Sequence, residues 1–374
     1  MATVGQGPRR AQPHRPSGDA LFLPLPIEAT GPVQRLEPEE AVACAAAFDG
    51  DDWRFGVDWD GMRVILTTTT DGSVRLHDER LRDVTGRLAE IAAAAATAIG
   101  GRAAVLDGVV ARLDGEGRPD LGGLFDALAE APGDGPPVSG LVLLAGDLLH
   151  LDAASLLAWP FDRRRSALHE VLTPTPHIQL PDLVEGQGRA VAEAAAARGL
   201  GAVLARHARA PYRPGVASHE RLRIALEDRD DTVVVGVVPA SGRRGALSAL
   251  LIAEWEDGRL VDAGRAALHA QAPVQGWLGQ RVDGLRTTTP ALDSVAAGEA
   301  GAGVVWLRPS LVATVRHHGR GGDGRLRLPV PVAVREDRAL RWCIRREPVV
   351  PPAPGPGSPA AFRPTVITTL PLGD

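Results

Sequence analysis

The chain has 374 residues, which is enough for two domains of ordinary size. All 41 of its basic residues are arginine, so mechanisms that need a side-chain amine are excluded, because a guanidinium stays protonated and is a poor nucleophile. No apolar stretch is long enough to span a bilayer, and no secretory signal is recognisable. Two distant cysteines, Cys44 and Cys343, form no disulfide framework, and we expect a cytoplasmic protein.

Charge is distributed unevenly along the chain. Residues 34–230 carry 21 arginines against 31 acidic residues, a net charge of −10, whereas residues 231–346 carry 16 arginines against 11 acidic residues, a net charge of +5. This asymmetry predicts two domains with different partners and a boundary near 226–231. The two ends are rich in proline and glycine, and we expect a disordered tail over 1–33 and a Pro-rich tail over 347–374.

The first part of the chain mixes strand and helix patterns. WRFGVDWDGMRVILTTTT (53–70) and VRLHD (74–78) predict strands around an Asp-Gly turn, and a helix over 83–101 follows. AAVLDGVVARLD (103–114) predicts two short strands that turn at Asp107-Gly108. Further along, the patterns predict a buried strand over 141–152, a helix over 161–172, and a helix followed by a strand over 188–207.

The second part of the chain is β-rich. Its apolar alternating segments are TVVVGVVPA (232–240), GALSALLIAEWEDGRLVDAGRA (245–266), SLVATVRHH (310–318) and RLRLPVPVAVRED (325–337). Short strands at this spacing predict a small β-barrel.

Several short motifs occur in a fixed order. They are Asp58-Trp59-Asp60-Gly61-Met62-Arg63, Leu106-Asp107-Gly108-Val109, Asp147-Leu148-Leu149, Pro211-Tyr212-Arg213-Pro214-Gly215 and Arg335-Glu336-Asp337-Arg338. Over about residues 50–345 this order resembles the ATP-dependent DNA ligase family, in particular the ligase module of bacterial end-joining DNA ligases. The resemblance implies an α+β fold, with a nucleotidyltransferase (adenylation) domain over 34–228 followed by a β-barrel OB-fold over 231–346.

The positions that face the nucleotide depart from the family pattern. The family's first motif is Lys-x-Asp-Gly-x-Arg, and its lysine attacks the α-phosphate of ATP. Here Asp58 stands at the lysine position, while Asp60, Gly61 and Arg63 are retained. The remaining altered nucleotide positions are Glu79 for an arginine, Val109 and Gly201 for glutamates, Gly146 for the aromatic that stacks on adenine, and Arg206 and Arg223 for lysines.

The departures from the family pattern fall mainly on one chemical class of residue. Glycines, prolines and apolar residues that shape turns and strands are kept, whereas groups that would touch AMP or a metal ion are mostly replaced. We therefore predict a pseudoenzyme that is unable to form ligase-adenylate, with no catalytic residue and no metal site. We expect no cofactor, and ATP with Mg²⁺ only if the family activity survives.

Two alternatives stay open. One is an active DNA ligase (ATP) or nucleotidyltransferase that uses an unusual nucleophile, such as a histidine. The other is a regulatory protein with no nucleic-acid role. The basic second domain favours DNA as a partner through the OB-fold, with Arg243, Arg244 and Arg335 as candidate phosphate contacts. The resemblance adds DNA repair and recombination as the setting and DNA-repair proteins as a second class of partner, and we expect no membrane association.

Overall fold

Three β-sheets organise the chain in a computed structural model that describes residues 36–129, 136–240, 246–268, 274–292, 303–345 and Pro352. The predicted N-terminal tail lies outside the described residues, as does the C-terminal tail apart from Pro352. Two of the sheets belong to the first domain and one belongs to the second. None of the helices in the described part of the chain is long and apolar enough to cross a membrane.

The first domain alternates strands and helices. Its strands are β1 (Glu40–Cys44), β2 (Gly50–Val57), β3 (Met62–Thr68), β4 (Val74–Asp78), β5 (Ala104–Arg112), β6 (Leu141–Leu151), β7 (Ala154–Ser155), β8 (Ile178–Gln179), β9 (Val184–Gly186), β10 (Ala202–His207) and β11 (Ala217–Ala225). Its helices are α1 (Ala89–Ala98), α2 (Leu121–Ala129), α3 (Phe161–Val171) and α4 (Gly188–Ala197).

The two sheets of this domain have separate cores, and polar side chains of β10 and β11 meet those of β5 and β6 in the region that we call the cleft. One sheet has the order β1-β11-β10-β2-β9, and the other has the order β4-β3-β5-β6-β7 with β8 beside β6. Ile91 of α1 and Leu168 of α3 belong to the core of the second sheet, whereas α4 contributes Ala192 to the core of the first. Because β2 and β3 are consecutive but lie in different sheets, the turn at 58–61 crosses from one sheet to the other.

The second domain is a curled sheet of five strands in the order β14-β13-β12-β15-β16. Its elements are β12 (Arg229–Pro239), β13 (Leu247–Glu256), β14 (Arg259–Ala267), β15 (Val305–Arg316), β16 (Val330–Arg335), α5 (Val274–Leu285) and a 3₁₀ helix (Leu340–Trp342). The chain before β16 returns to β14, because Leu326 N–H donates to Ala263 O at 3.0 Å and Ala267 N–H donates to Pro329 O at 3.2 Å. The predicted α+β class and OB-type barrel are confirmed.

Local structure corrects two predictions. The helix predicted over 83–101 begins only at Ala89, because the Asp83 carboxylate accepts the Thr85 N–H and the chain over 84–88 forms turns. The two short strands predicted over 103–114 are one strand, β5, with an irregular register at Asp107/Gly108. Gly108 permits this close packing, since a Cβ there would lie 2.8 Å from Leu144 O. The patterns also missed the short strands β1, β7, β8 and β9, together with α2, β11 and α5.

Candidate functional site

Asp58, at the position of the family nucleophile, lies directly after β2 in the turn that joins the two sheets. Its backbone N–H donates to Ala202 O at 3.0 Å, which fixes the residue against β10. Its Oδ2 accepts a hydrogen bond from Arg223 Nε at 2.8 Å, and both side chains are about three-quarters buried. Position 58 therefore holds a carboxylate that is occupied by an ion pair within the chain.

The neighbouring Asp60 is also paired within the chain. Arg229, the first residue of β12, forms an ion pair with it. Burial raises the pKa of the Asp60 carboxyl, and Arg229 opposes this rise. A Cβ on Gly201 would lie 2.8 Å from Glu227 Oε1 and 3.5 Å from Asp60 Oδ2. The space above Gly201 is therefore occupied by carboxylates from elsewhere in the chain.

Asp107 is the centre of a buried polar cluster between the sheets. Arg63 Nε and Nη2 donate to its two oxygens, and the Tyr212 hydroxyl donates to Oδ2 at 2.9 Å. Arg221 Nη1 lies 3.9 Å from the same oxygen. Burial disfavours the charged carboxylate, but Arg63 outweighs it and holds the pKa of Asp107 below its ordinary value. Arg63 and Asp107, both retained from the motifs, join β3 to β5, and Arg221 brings β11 into the cluster.

Asp147 forms a second structural pair. Both of its oxygens accept hydrogen bonds from the Arg164 guanidinium, at 2.9 Å each, and both side chains are 2% exposed. Arg164 Nη1 also donates to Ala210 O at 2.9 Å. Bidentate pairs of this kind are strong and directional. This pair anchors α3 to β6.

An arginine occupies the space above Gly146, where the family has its adenine-stacking aromatic. Arg206 Nη1 donates to Gly146 O at 2.9 Å, and a Cβ on Gly146 would lie 2.9 Å from Arg206 Nη2. The guanidinium carbon lies 5.0 Å from the Phe161 ring centroid, within cation–π range. Burial, reinforced by the positive charge of Arg221, lowers the pKa of Arg206 to about 9.

Asp58 and Asp107 are linked through β11. Arg221 and Arg223 lie two residues apart on β11, so their side chains share one face of the strand. Arg221 approaches Asp107 and Arg223 binds Asp58.

Val109 is an apolar residue beside the motif turn. A Cβ on Gly61 would lie 2.6 Å from Val109 Cγ1 and clash with Val110 O, so the turn packs directly on β5 at a glycine. Glu79, in contrast, is 6% exposed and lies 2.9 Å from Arg338 of the second domain. Sequence reasoning identified position 79 as altered but missed this partner.

The three arginines proposed for DNA contact have different positions. Arg243 and Arg244 lie outside the described residues, so their role stays a prediction. Arg335 is 7% exposed and faces the first domain, where Nη2 donates to Gly61 O at 3.2 Å and the guanidinium lies 4.4 Å from the Phe125 centroid. Asp337 binds the same guanidinium. In this arrangement Arg335 is enclosed between the domains.

The acidic side chains of the cleft are engaged within the chain. The carboxylates at 58, 60, 107 and 147 are each bound by an arginine of the chain. Arg206 stands above Gly146, and position 58 has no amine. Within the described ranges, no group of three or more His, Cys, Asp or Glu side chains is arranged to hold a metal ion. Glu40, Glu227, Arg229 and Arg338 contribute to the ion pairs, and no sequence motif identified these interactions.

The fold and the cleft define a class of protein. Two sheets joined by a strand–turn–strand segment and followed by a five-stranded barrel form a nucleotidyltransferase domain with an OB-fold. The model of the ATP dependent DNA ligase domain matches residues 38–224, and that of the ATP dependent DNA ligase C terminal region matches residues 243–338. The chain belongs to the ATP-dependent DNA ligase family.

Individual relatives agree with this assignment. The multifunctional non-homologous end joining protein LigD of Mycolicibacterium smegmatis is 27% identical over 294 residues, covering 78% of this chain and 37% of that protein. A probable DNA ligase of Streptomyces avermitilis is 33% identical over 298 residues, covering 76% of this chain and 54% of that protein. The solved structure of mycobacterial DNA ligase D complexed with ATP and MES is similar with a TM-score of 0.58 at 25% identity, over 84% of this chain and 99% of that one. The chain thus spans well under half the length of the LigD relative.

Proposed function

We propose that this chain is a DNA-binding member of the ligase family that does not form ligase-adenylate. The observation that carries the proposal is the ion pair between Asp58 and Arg223 at the nucleophile position. The names of the relatives point to end-joining repair as its setting. Two competing functions, an active ligase with an unusual nucleophile and a regulatory protein without DNA, make different predictions in the experiments below.

Electrostatics supports the loss of adenylation. Two unit charges ~4 Å apart interact by about 4 kcal/mol at an effective dielectric of ~20. A lysine beside the α-phosphate of ATP gains this energy, whereas the Asp58 carboxylate is repelled by the same phosphate. Arg223 offsets the Asp58 charge in the ion pair, so position 58 supplies neither the attraction of a lysine nor an amine nucleophile.

Incubation of the full chain with ATP labelled at the α-phosphate and Mg²⁺, followed by denaturing electrophoresis, tests this half of the proposal. We expect no labelled band for the wild type. We also expect none for Asp58→Lys, because Glu79, Val109, Gly146 and Gly201 still lack the family's nucleotide contacts and Arg223 would then face a second cation. A covalent AMP adduct on the wild type would establish the active-ligase alternative, and mapping it to a histidine would identify the nucleophile.

Exposed arginines on the barrel support DNA as the partner. Arg265 of β14, Arg316 at the end of β15 and Arg327 before β16 are all exposed, and within the described part of the chain their side chains have no hydrogen bond or ion pair. The segments that carry them are neighbours, because His318 N–H donates to Arg327 O at 2.9 Å and Leu326 N–H donates to Ala263 O at 3.0 Å. Arginines of this kind are free to neutralise backbone phosphates.

An exposed leucine lies beside these arginines. Leu328 is 76% exposed and has a φ of 51°, a backbone region that a leucine rarely adopts. Apolar side chains that project from a basic surface insert between base steps in several minor-groove proteins. Together with the arginines, Leu328 favours duplex DNA over a simple polyanion. We name Arg265, Arg316, Arg327 and Leu328 the barrel patch.

Titration of labelled duplex DNA with the full chain at several salt concentrations tests the barrel patch. The triple change Arg265→Ala, Arg316→Ala and Arg327→Ala should lower the slope of log affinity against log salt by about 3, one unit for each phosphate that is no longer neutralised. Leu328→Ala should weaken binding without changing the slope. Arg75→Ala, an exposed arginine of the first domain, is the matched control. Absence of DNA binding even at low salt would favour the regulatory alternative.

A further inference from the structure

The contacts between the two domains are concentrated around residues 335–341. Arg335 reaches Gly61, Glu336 reaches Arg82, and Arg338 reaches Glu79 and Glu40. We propose that Glu79 and Arg338 form an electrostatic latch that holds the barrel closed against the first domain without a bound nucleotide. The latch stands on these contacts alone and does not depend on whether the barrel binds DNA.

The latch has well-defined geometry. Arg338 Nη1 donates to both oxygens of Glu79, at 3.0 and 2.9 Å, and to Glu40 Oε2 at 2.8 Å. Its Nε donates to Asp231 Oδ2 at 3.0 Å within the second domain. The Arg338 side chain is 12% exposed and that of Glu79 is 7% exposed. Salt screens a pair this well buried only weakly. We therefore expect the attraction between Glu79 and Arg338 to contribute to domain closure.

The sign of the charge at position 79 is what makes direct closure favourable. The resemblance implies an arginine at position 79 and a lysine at position 338, and both serve the nucleotide in active ligases. Two cations repel each other at this distance, so their approach needs an anion between them. In this chain position 79 is a carboxylate, and opposite charges meet directly. The Glu79 carboxylate takes the part that a phosphate group would play.

Contacts on either side of the latch fix its register. Arg80 Nη1 donates to Ser310 O at 2.9 Å and to Glu336 O at 2.8 Å, so the residue after Glu79 is also bound to the barrel. Arg281 of α5 binds Glu336 at 2.8 Å, and Arg82 approaches the same carboxylate at 3.4 Å. The pair Arg341–Glu37 also joins the domains, at 2.7 Å, but both of its side chains are exposed. We expect that pair to contribute little.

Hydrogen–deuterium exchange and small-angle X-ray scattering on the full chain test the latch. In Arg338→Ala and in Glu79→Arg, the backbone amides of residues 78–82 and 336–341 should exchange at least ten-fold faster than in the wild type. The radius of gyration should increase in both variants. Arg341→Ala is the matched control and should change neither quantity. Unchanged exchange in β5 and β13 shows that each variant stays folded.

Addition of ATP with Mg²⁺ to the wild type separates the latch from nucleotide-driven closure. We expect no change in exchange or in the radius of gyration, because the domains are already closed. Closure that appears only with ATP would overturn the proposal. So would folded Arg338→Ala and Glu79→Arg proteins that keep wild-type protection and scattering. If Arg338→Ala does not fold, the Glu79→Arg variant alone tests the proposal, since it changes the residue that the first domain contributes to the latch. These readouts are separate from adenylation and DNA binding, so the two proposals fail independently.

Discussion

The arginines of the cleft and those of the barrel patch have opposite environments. In the cleft, Arg63, Arg164 and Arg223 are partly or fully buried, and each is bound to a carboxylate of the chain. On the barrel, Arg265, Arg316 and Arg327 are exposed and form no ion pair within the described ranges. A chain without lysine uses one side chain for both tasks. The environment, and not the residue type, separates structural arginines from those available to a ligand.

This difference also explains why net charge alone is a poor guide to the site. The first domain has a net charge of −10, yet its cleft is rich in arginine, and Arg63, Arg164 and Arg223 are each paired with a carboxylate of the chain. The second domain has a net charge of only +5, but the arginines of its barrel patch are exposed and form no ion pair within the described residues. Unpaired positive charges are the ones that can bind the phosphates of a DNA backbone.

Removing a buried cleft carboxylate should have the largest effect on stability. Asp107→Asn leaves Arg63 without its counter-ion in a site that is 1% exposed. We expect a loss of about 3–5 kcal/mol in the free energy of unfolding, because an unpaired charge then stays buried. Urea denaturation followed by circular dichroism measures the loss. Asp52→Asn, which removes the carboxylate from an exposed pair with Arg209, is the control and should change stability by less than about 0.5 kcal/mol. Equal losses of unfolding free energy in the two variants would show that the buried pair contributes no more to stability than the exposed pair.

The same carboxylate should give the protein an acid-sensitive component of stability. Although burial opposes ionisation, Arg63 holds the pKa of Asp107 below its ordinary value. Its contribution is therefore fully present above the ordinary aspartate pKa and is lost as pH falls through the lowered folded value. Each unit of lowering corresponds to about 1.4 kcal/mol. Subtracting the stability of Asp107→Asn from that of the wild type, between neutral pH and the acid transition, isolates the component. A difference that grows toward low pH would contradict the assignment.

The smallest effect on stability is expected at the barrel patch. Changing Arg265, Arg316 and Arg327 to alanine removes no intramolecular hydrogen bond or ion pair in the described ranges, so each substitution should alter the free energy of unfolding by less than about 0.5 kcal/mol. The same triple variant carries the large expected change in DNA affinity. Thermal melts of the triple variant, measured together with its DNA affinity, therefore test whether stability and DNA binding change independently. A marked loss of stability would mean that these arginines have structural partners.

The sequence predicts the framework well because the framework follows local rules. Alternating apolar residues and the Asp-Gly turn locate β2, β3 and β4, and long apolar segments locate β6 and the barrel strands. The Asp-Gly pair at 107–108 misleads, because the same dipeptide that forms a turn between β2 and β3 lies inside β5 and is held there by strands on both sides. Pairing with neighbouring strands overrides local turn preference at this point.

The candidate site was predictable only in part. Motif comparison identifies the altered positions, such as Asp58, Glu79 and Gly146, because each departs from a known pattern. It does not identify their new partners. Arg223 is 165 residues from Asp58, and Arg338 is 259 residues from Glu79. Pairings over such separations depend on the tertiary arrangement, and a single sequence carries no local signal for them.

The ion pairs Asp58–Arg223 and Glu79–Arg338 restrict the substitutions that positions 58 and 79 can accept. A mutation that restores a cation at position 58 or 79 places two like charges at a separation of about 3 Å, before any nucleotide is available to separate them. A single substitution to a cation at either position is therefore disfavoured by the arginine that faces it. Each pair therefore couples two positions that are far apart in the sequence, and a change of charge at one position is tolerated best when its partner changes as well.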